Sequence, residues 1–187
     1  MPDPMQDAHR ALDRLSDRRF VLTTSHEGRR CGVLVTGVAR AATEPLLIAA
    51  FVRRGHWIEP LIRDSRVFAL CQVPAPSTPS TSLLLRRFAE ASRPRDGDPF
   101  DGFDAGTLAT GSPILINSPL AFDCEVHRHI DLDADHEVYC GVVRGVFIEG
   151  QRAILQAPAP PGSDRRVLAD RRTFQRRKPG KQAHEGK

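Results

Sequence analysis

Residues 51–65, FVRRGHWIEPLIRDS, place two arginines and a glycine between the end of an apolar run and a segment with helical spacing. The first backbone N–H groups of a helix have no partner inside the helix and carry positive partial charge. Arginine adds a planar fork of donors that matches phosphate oxygens, and Gly55 permits backbone conformations that other residues avoid. The junction therefore fits a phosphate-binding turn, with a surface loop of solvated arginines as the alternative.

An acidic segment, DLDADHE, resembles the start of a calcium-binding loop because Asp131, Asp133 and Asp135 alternate. The sixth position of such a loop needs glycine for a sharp turn, and here it is His136. The twelfth position needs a bidentate glutamate, and here it is Val142. We interpret the segment as an acidic hairpin turn and predict no calcium site.

A zinc site is the second metal hypothesis, built from Cys124, His127, His129 and His136. In a strand, His127 and His129 lie on the face opposite Cys124, so these three side chains cannot converge on one ion. We predict no metal site. The sequence also lacks the Gly-x-Ser-x-Gly, Walker and Gly-x-Gly-x-x-Gly motifs, so acyl transfer and the common nucleotide-binding folds gain no support.

The length and composition favour one globular domain. The chain has 187 residues, of which 40% are hydrophobic and 27% are charged. We expect that domain to span residues 1–155 and a Pro/Gly linker with a basic, disordered tail to span residues 156–187. No apolar run is long enough for a membrane span and the N-terminal segment is polar, so we expect a cytoplasmic protein. The four widely spaced cysteines are typical of buried free thiols.

The positive charge is concentrated near the C-terminus. Residues 163–187 contain nine Lys or Arg and three Asp or Glu, whereas the rest of the chain contains 18 basic and 20 acidic residues. This segment has one aromatic residue, Phe174, so base stacking is not indicated and we do not expect nucleic acid as a partner. A scaffold whose basic tail contacts nucleic acid or an acidic partner is kept as an alternative function.

Strand patterns dominate the chain, which predicts a mainly β barrel or sandwich with short helical insertions. Phe122, Cys124 and Val126 alternate with polar residues, which indicates an antiparallel strand with one buried face. Pro60 fits the first turn of the helix predicted in IEPLIRDS. The predicted strands are 20–25, 31–39, 45–52, 66–73, 118–132 and 136–149; the predicted helices are 5–15, 58–65 and 83–91; the predicted loops are 74–82 and 92–107.

Residues 31–73 resemble the flavin reductase-like, FMN-binding split-barrel family. That family has a Gly-x-x-x-Thr-Ser-Val strand, an acid-Pro pair before an apolar strand, a basic junction, and a Pro-Leu-Ile-x-x-Ser helix. Later pieces follow in the family's order: RRFAEA, DPFDGF, TGSPIL, AFDCEV and DADHEVYCGVV. The matching residues of the first stretch are Gly32, Thr36, Val38, Glu44, Pro45, Arg54, Pro60, Leu61, Ile62, Ser65 and Phe68.

The resemblance implies a six-stranded Greek-key split barrel that forms a homodimer and binds FMN or FAD. It also implies a hydride transfer from NAD(P)H to the flavin, with reduced flavin passed to a partner monooxygenase. In such chemistry the protein mainly orients the two rings, because the flavin itself accepts the hydride. A flavin-binding electron-transfer module without its own NAD(P)H activity is the alternative within the same fold.

The resemblance also implies a set of site residues. Those near the flavin ring and ribityl chain are Val35, Thr36, Gly37 and Val38. Those near the ribityl phosphate are Ala50, Phe51, Val52, Arg53, Arg54, His56, Trp57 and Ile58. His136 lies on the nicotinamide side as a stacking or hydrogen-bonding contact, with a solvated residue of the acidic turn as the alternative.

Two departures from the family pattern concern this set. Gly37 replaces a serine, and Gly55, His56 and Ile58 replace hydroxyl residues of the phosphate turn. We therefore expect phosphate binding to rely on backbone N–H groups, Arg53, Arg54 and His56.

Overall fold

The computed structural model describes residues 18–75, 78–89, 97–148 and 151–155. The helix predicted at residues 5–15 and the linker and tail predicted at 156–187 lie outside these residues. The domain boundary at residue 155 therefore stays a prediction.

The described residues form two helices and ten strands, and the strands dominate the fold as predicted. The helices are α1 (Glu59–Ser65) and α2 (Pro79–Arg87). The strands are β1 (Phe20–His26), β2 (Arg29–Val35), β3 (Val38–Thr43), β4 (Leu46–Arg53), β5 (Val67–Gln72), β6 (Ala105–Gly106), β7 (Ile114–Leu115), β8 (Leu120–Asp131), β9 (His136–Ile148) and β10 (Gln151–Ile154).

One antiparallel sheet contains most of these strands in the order β2-β1-β5-β8-β9-β4-β3, with β10 also paired to β9. Strand β1 lies beside β5, and β4 lies beside β9, so the connections skip strands as in a Greek key. The main sheet has eight strands among the described residues rather than the expected six. The pair β6-β7 forms a separate two-stranded sheet that packs on the main one through Ile114 and Leu115.

The predicted strand 31–39 is in fact two strands. Strand β2 ends at Val35 and β3 begins at Val38, and the two strands lie at opposite ends of the sheet order. Residues 36–37 belong to neither strand, and the chain leaves its pairing with β1 there before it pairs with β4. Sequence periodicity continues through this corner and does not reveal it.

The second helix begins earlier than predicted, at Pro79 rather than residue 83. Thr78 caps it by accepting a hydrogen bond from the backbone N–H of Thr81 at 3.1 Å, and proline suits the first turn. The Pro/Ser/Thr composition that predicted a loop at 74–82 therefore encodes a helix start in its last residues. Pro60 occupies the first turn of α1, as predicted.

Two apolar clusters lie on the two sides of the sheet. The inner cluster contains Leu22, Ile48 and Phe68, and Ile62 of α1 packs into it, so α1 fills one end of the barrel. The outer cluster contains Val21, Phe100 and Leu84 of α2. Burial of these side chains is the main stabilising contribution, about 1.5–3 kcal/mol for each large side chain.

Candidate functional site

Strand β4 presents two different faces at its C-terminal end. Val52 is buried in the inner cluster, while Phe51 and Arg53 point outward on the opposite face. Phe51 is 37% exposed, which is unusual for a large aromatic side chain in a strand. The face therefore combines an accessible aromatic ring with a cation two residues further along the strand.

Three predicted site segments meet on this outer face. Antiparallel pairing of β4 with β9 places Arg53 directly opposite His136. The backbone N–H of Phe51 donates to the carbonyl of Gly37 at 2.9 Å, which brings the 35–38 corner against β4. One or two residues from each of the sets assigned to ring, phosphate and nicotinamide thus lie close together: Gly37, Phe51 and Arg53, and His136.

Gly37 is required by the position of Phe51. A Cβ atom added at Gly37 would lie 2.9 Å from a ring carbon of Phe51, closer than real Cβ contacts allow. The serine that the family has at this position would not fit here unless the ring moved. The first departure from the family pattern is therefore linked to the aromatic residue on β4.

His136 begins β9 at the edge of the outer face, and its side chain is 41% exposed. Its Nδ1 lies 3.1 Å from an Asp135 carboxylate oxygen. The hydrogen bond and the charge of His136 hold the pKa of Asp135 below its usual range. The imidazole is accessible to a ligand on the outer face while Asp135 orients it.

The turn after β4 satisfies several of its own backbone donors. Gly55 adopts a φ of +77°, which glycine tolerates best and which matches the predicted unusual conformation. The N–H of His56 donates to Glu59 Oε1 at 3.0 Å, and the N–H of Ile58 donates to Nδ1 of His56 at 3.2 Å. Two donors on which the predicted phosphate site relies therefore already have acceptors, and one acceptor is a carboxylate.

The remaining predicted residues divide by burial. Thr36 is exposed, and Gly37, Val38 and Trp57 are partly buried. The others have buried side chains and can offer a ligand on the outer face only their backbone groups. These buried residues are Val35, Ala50, Val52, His56 and Ile58.

Arg54 lies in a different environment from Arg53. Its Nη2 is 2.7 Å from Asp131 Oδ2 and its Nε is 3.8 Å from Glu137 Oε1. Its backbone N–H donates to the carbonyl of Asp135 at 2.8 Å. Both side chain and backbone of Arg54 thus bind the β8-β9 hairpin.

A group of residues beside Arg54 was missed by the sequence analysis. The side chain of Glu137 is only 9% exposed, and its Oε2 lies 2.7 Å from Nε2 of His129. The His129 ring stacks on Tyr139 with centroids 4.5 Å apart. The sequence indicates this group only through Glu137, a charged residue at an inward position of an apolar strand. The contacts of His129 could not be predicted because they depend on the β8-β9 register.

Metal binding and thiol chemistry find no support among the described residues. No group of three or more His, Cys, Asp and Glu side chains in them could hold a metal ion. All four cysteines are free; Cys31, Cys71 and Cys124 are buried, and burial raises the pKa of Cys71 to about 12. No helix in the described part of the chain is long and apolar enough to cross a membrane.

The chain belongs to the flavin reductase like domain family, whose sequence model matches residues 12–157. The predicted resemblance is thus confirmed. An FMN reductase (NADH), RutF 2, from Methylorubrum extorquens is 24% identical over 147 residues, covering 79% of this chain and 82% of that protein. A diflavin flavoprotein A 1 from Synechocystis is also 24% identical, but the chain spans only 24% of its length.

Solved structures share the same fold. Nitrilotriacetate monooxygenase component B from Mycobacterium thermoresistibile superposes with a TM-score of 0.63 at 24% identity, covering 86% of this chain and 92% of that one. The flavin reductase component BorF of a bacterial two-component tryptophan halogenase gives a TM-score of 0.64 at 19% identity, covering 82% and 99%. At these identities the likeness establishes the split-barrel fold.

Proposed function

We propose that the chain is an NAD(P)H-dependent flavin reductase-like oxidoreductase that binds FMN, or FAD, on the outer face of β4 and β9. The observation that carries the proposal is the convergence of Gly37, Phe51, Arg53 and His136 on that face. An exposed aromatic ring suits a planar heterocycle, and an arginine beside it suits a phosphate. When bound, the flavin supplies the ring that accepts a hydride from the nicotinamide co-substrate.

The chain's own residues hold and orient these ligands. Phe51 and the 35–38 corner provide the apolar surface for the flavin ring, while Arg53 attracts the phosphate. His136 contacts the nicotinamide side, where Asp135 keeps its ring in place. These residues bring two rings together and exclude water between them, which is most of what such a reaction requires.

A partner protein that consumes reduced flavin is part of the proposal. Two structures of the same fold carry names of this kind: one is a component of nitrilotriacetate monooxygenase and one is the reductase component of a tryptophan halogenase. We therefore propose a cytoplasmic homodimer that supplies reduced flavin to a monooxygenase or a related enzyme.

An electron-transfer module without its own NAD(P)H activity is the second candidate. The similarity to a diflavin flavoprotein favours it, because there the matching region is one part of a much longer protein. In that case the flavin on the outer face exchanges electrons with another protein rather than with a nicotinamide.

A flavin titration followed by steady-state oxidation of NADH and NADPH separates these candidates. We expect the fluorescence of FMN to be quenched on binding. We expect NADH or NADPH to be oxidised only when flavin is present. Flavin binding without nicotinamide oxidation would favour the electron-transfer module. Absence of both FMN and FAD binding would contradict the proposed function and leave the scaffold alternative.

A further inference from the structure

Two neighbouring arginines of the β4-α1 turn have distinct surroundings. Arg53 continues the outward face of β4 after Phe51, within electrostatic range of the exposed Asp135, whereas Arg54 lies against Asp131 and Glu137. Two carboxylates around one guanidinium offset its positive charge. The attraction of Arg54 for a phosphate is correspondingly reduced.

Glu137 is the central acceptor of this cluster. It pairs with Val52 in the β4-β9 ladder, so its side chain points to the inner side of the sheet, where Tyr139 is also buried. A carboxylate that is so little exposed is stable only with donors around it, and His129 Nε2 and Arg54 Nε occupy two of its sides. Loss of Arg54 would leave this carboxylate with less compensation.

The same contacts fix the backbone of the turn. Arg54 joins the turn to the hairpin at two points: its N–H donates to the Asp135 carbonyl at 2.8 Å and its guanidinium donates to Asp131 at 2.7 Å. Asp131 in turn accepts the N–H of Asp133 at 2.8 Å, which shapes the hairpin turn itself. The conformation of residues 53–56 therefore depends on the hairpin as well as on its own sequence.

We infer that Arg54 is a positioning residue, held by Asp131 and Glu137, which fixes the β4-α1 turn so that Arg53 alone of the two arginines meets the flavin phosphate. The inference rests on the proposed function for the identity of the ligand. It replaces the sequence-based assignment, in which both arginines bind phosphate directly, with a division of roles.

The two assignments predict opposite changes in FMN affinity when Asp131 or Glu137 is neutralised. If Arg54 binds phosphate directly, Asp131 and Glu137 compete for its guanidinium, and Asp131→Asn or Glu137→Gln strengthens FMN binding. If Arg54 positions the turn through these acids, the same substitutions loosen the turn and weaken FMN binding. Asp133→Asn removes an equal charge from the same hairpin without touching Arg54 and is the matched control.

The first measurement is amide hydrogen exchange of the flavin-free protein. We expect exchange in residues 54–58 to accelerate about fivefold in Arg54→Ala and in Asp131→Asn, as for loss of a partly exposed ion pair. Asp133→Asn and Arg29→Ala, which removes an arginine at the edge strand β2, are expected to leave this segment unchanged. Equal exchange in all variants would overturn the inference, and this holds whether or not the chain binds flavin.

The second measurement is titration with FMN and with riboflavin, which lacks the phosphate. Arg54→Ala, Asp131→Asn and Glu137→Gln are expected to weaken FMN binding about fivefold, with riboflavin affinity little changed. Arg54→Lys keeps a cation beside Asp131 and is expected to restore most of the FMN affinity. Tighter FMN binding in Asp131→Asn than in Asp133→Asn would show that Arg54 is a direct ligand, while failure of the native chain to bind flavin would contradict only the proposed function.

Discussion

The β8-β9 hairpin contains a shielded carboxylate at each end, and the two differ in what surrounds them. Near the turn, Glu137 lies beside the cationic Arg54 and the ring nitrogen of His129, both of which are half exposed. Near the other end, Asp123 is 0% exposed and accepts hydrogen bonds from the backbone N–H and the hydroxyl of Thr110, both neutral donors. Burial raises the pKa of Asp123, and these hydrogen bonds oppose the rise only in part.

The Asp123 end of the hairpin anchors a loop, whereas the Glu137 end borders the proposed binding region. Around Asp123, polar side chains of the sheet hold the segment 110–113: Thr23 donates to the carbonyl of Pro113 and Ser25 donates to the carbonyl of Gly111. These groups satisfy one another and leave little for a ligand. At the turn end Arg54 and His129 are half exposed although Glu137 is not, and the neighbouring outer face exposes Phe51, Arg53 and His136. Accessibility of charge, more than its presence, distinguishes the proposed binding region from the other end of the hairpin.

The largest effect expected from this comparison is on stability at the Asp123 end. Thr110→Val keeps the branched shape and the backbone donor but removes the hydroxyl that bonds a buried carboxylate, so we expect a loss of about 2–3 kcal/mol in the free energy of unfolding. Urea unfolding at neutral pH measures it. Thr107→Val, at an exposed position, is the control; equal stability of the two variants would show that Asp123 does not depend on Thr110.

The second effect is on ligand binding at the turn end. Arg53→Ala is expected to weaken FMN binding more than tenfold, since charge-assisted hydrogen bonds contribute about 1.5–3 kcal/mol, while riboflavin binding changes little. Stability is expected to change by less than about 0.5 kcal/mol because the residue is exposed. Titrations of Arg53→Ala and Arg29→Ala test this, and an FMN affinity equal to that of the native chain would remove Arg53 from the phosphate site.

The third effect is a pH dependence that belongs to Asp123. Its pKa is higher in the folded protein than in the unfolded chain, so its contribution to stability is full below the unfolded pKa, near ~3.9, and is lost as pH rises through the folded pKa. Asp123→Asn removes this pH-dependent loss of stability, because an amide does not ionise and its carbonyl still accepts a hydrogen bond from Thr110. We expect the variant to gain stability relative to the native chain between pH 4 and pH 7, by less than the Thr110 variant loses. A difference in the free energy of unfolding between variant and native chain that stays constant from pH 4 to pH 7 would contradict the raised pKa.

The smallest effect concerns His136. His136→Ala removes a ring contact on the nicotinamide side, so we expect kcat/KM for NADH to fall about threefold, the size of one aromatic contact, with FMN affinity unchanged. Steady-state kinetics at saturating FMN measure the change. His127→Ala, at an exposed position on β8, is the control, and an equal fall in both variants would argue against a specific role for His136.

Much of the framework followed from local sequence rules. The apolar run before Arg53, the glycine in the turn and the proline at the start of α1 each act over a few residues, and all three were predicted correctly. The family motifs identified the split barrel because their order along the chain reflects the order of its strands. The start of α2 was predicted wrongly because the Pro/Ser/Thr composition around its capping threonine is typical of loops. The break between β2 and β3 was missed because the apolar pattern continues through the corner at Gly37.

The assignment of roles within the site required the tertiary structure. Sequence places Arg53 and Arg54 next to each other and predicts a shared role, but pairing with β9 sets one opposite His136 and the other beside Glu137. Similarly, alternation along β8 predicts an outward Asp123, and it does lie on the outer side, paired with Ala69, but Thr110 and its neighbours cover it so that it is 0% exposed. The amino-acid sequence thus determined which residues form the strands and the turn, while strand register decided which charges meet, because residues distant in sequence become neighbours only in the folded sheet.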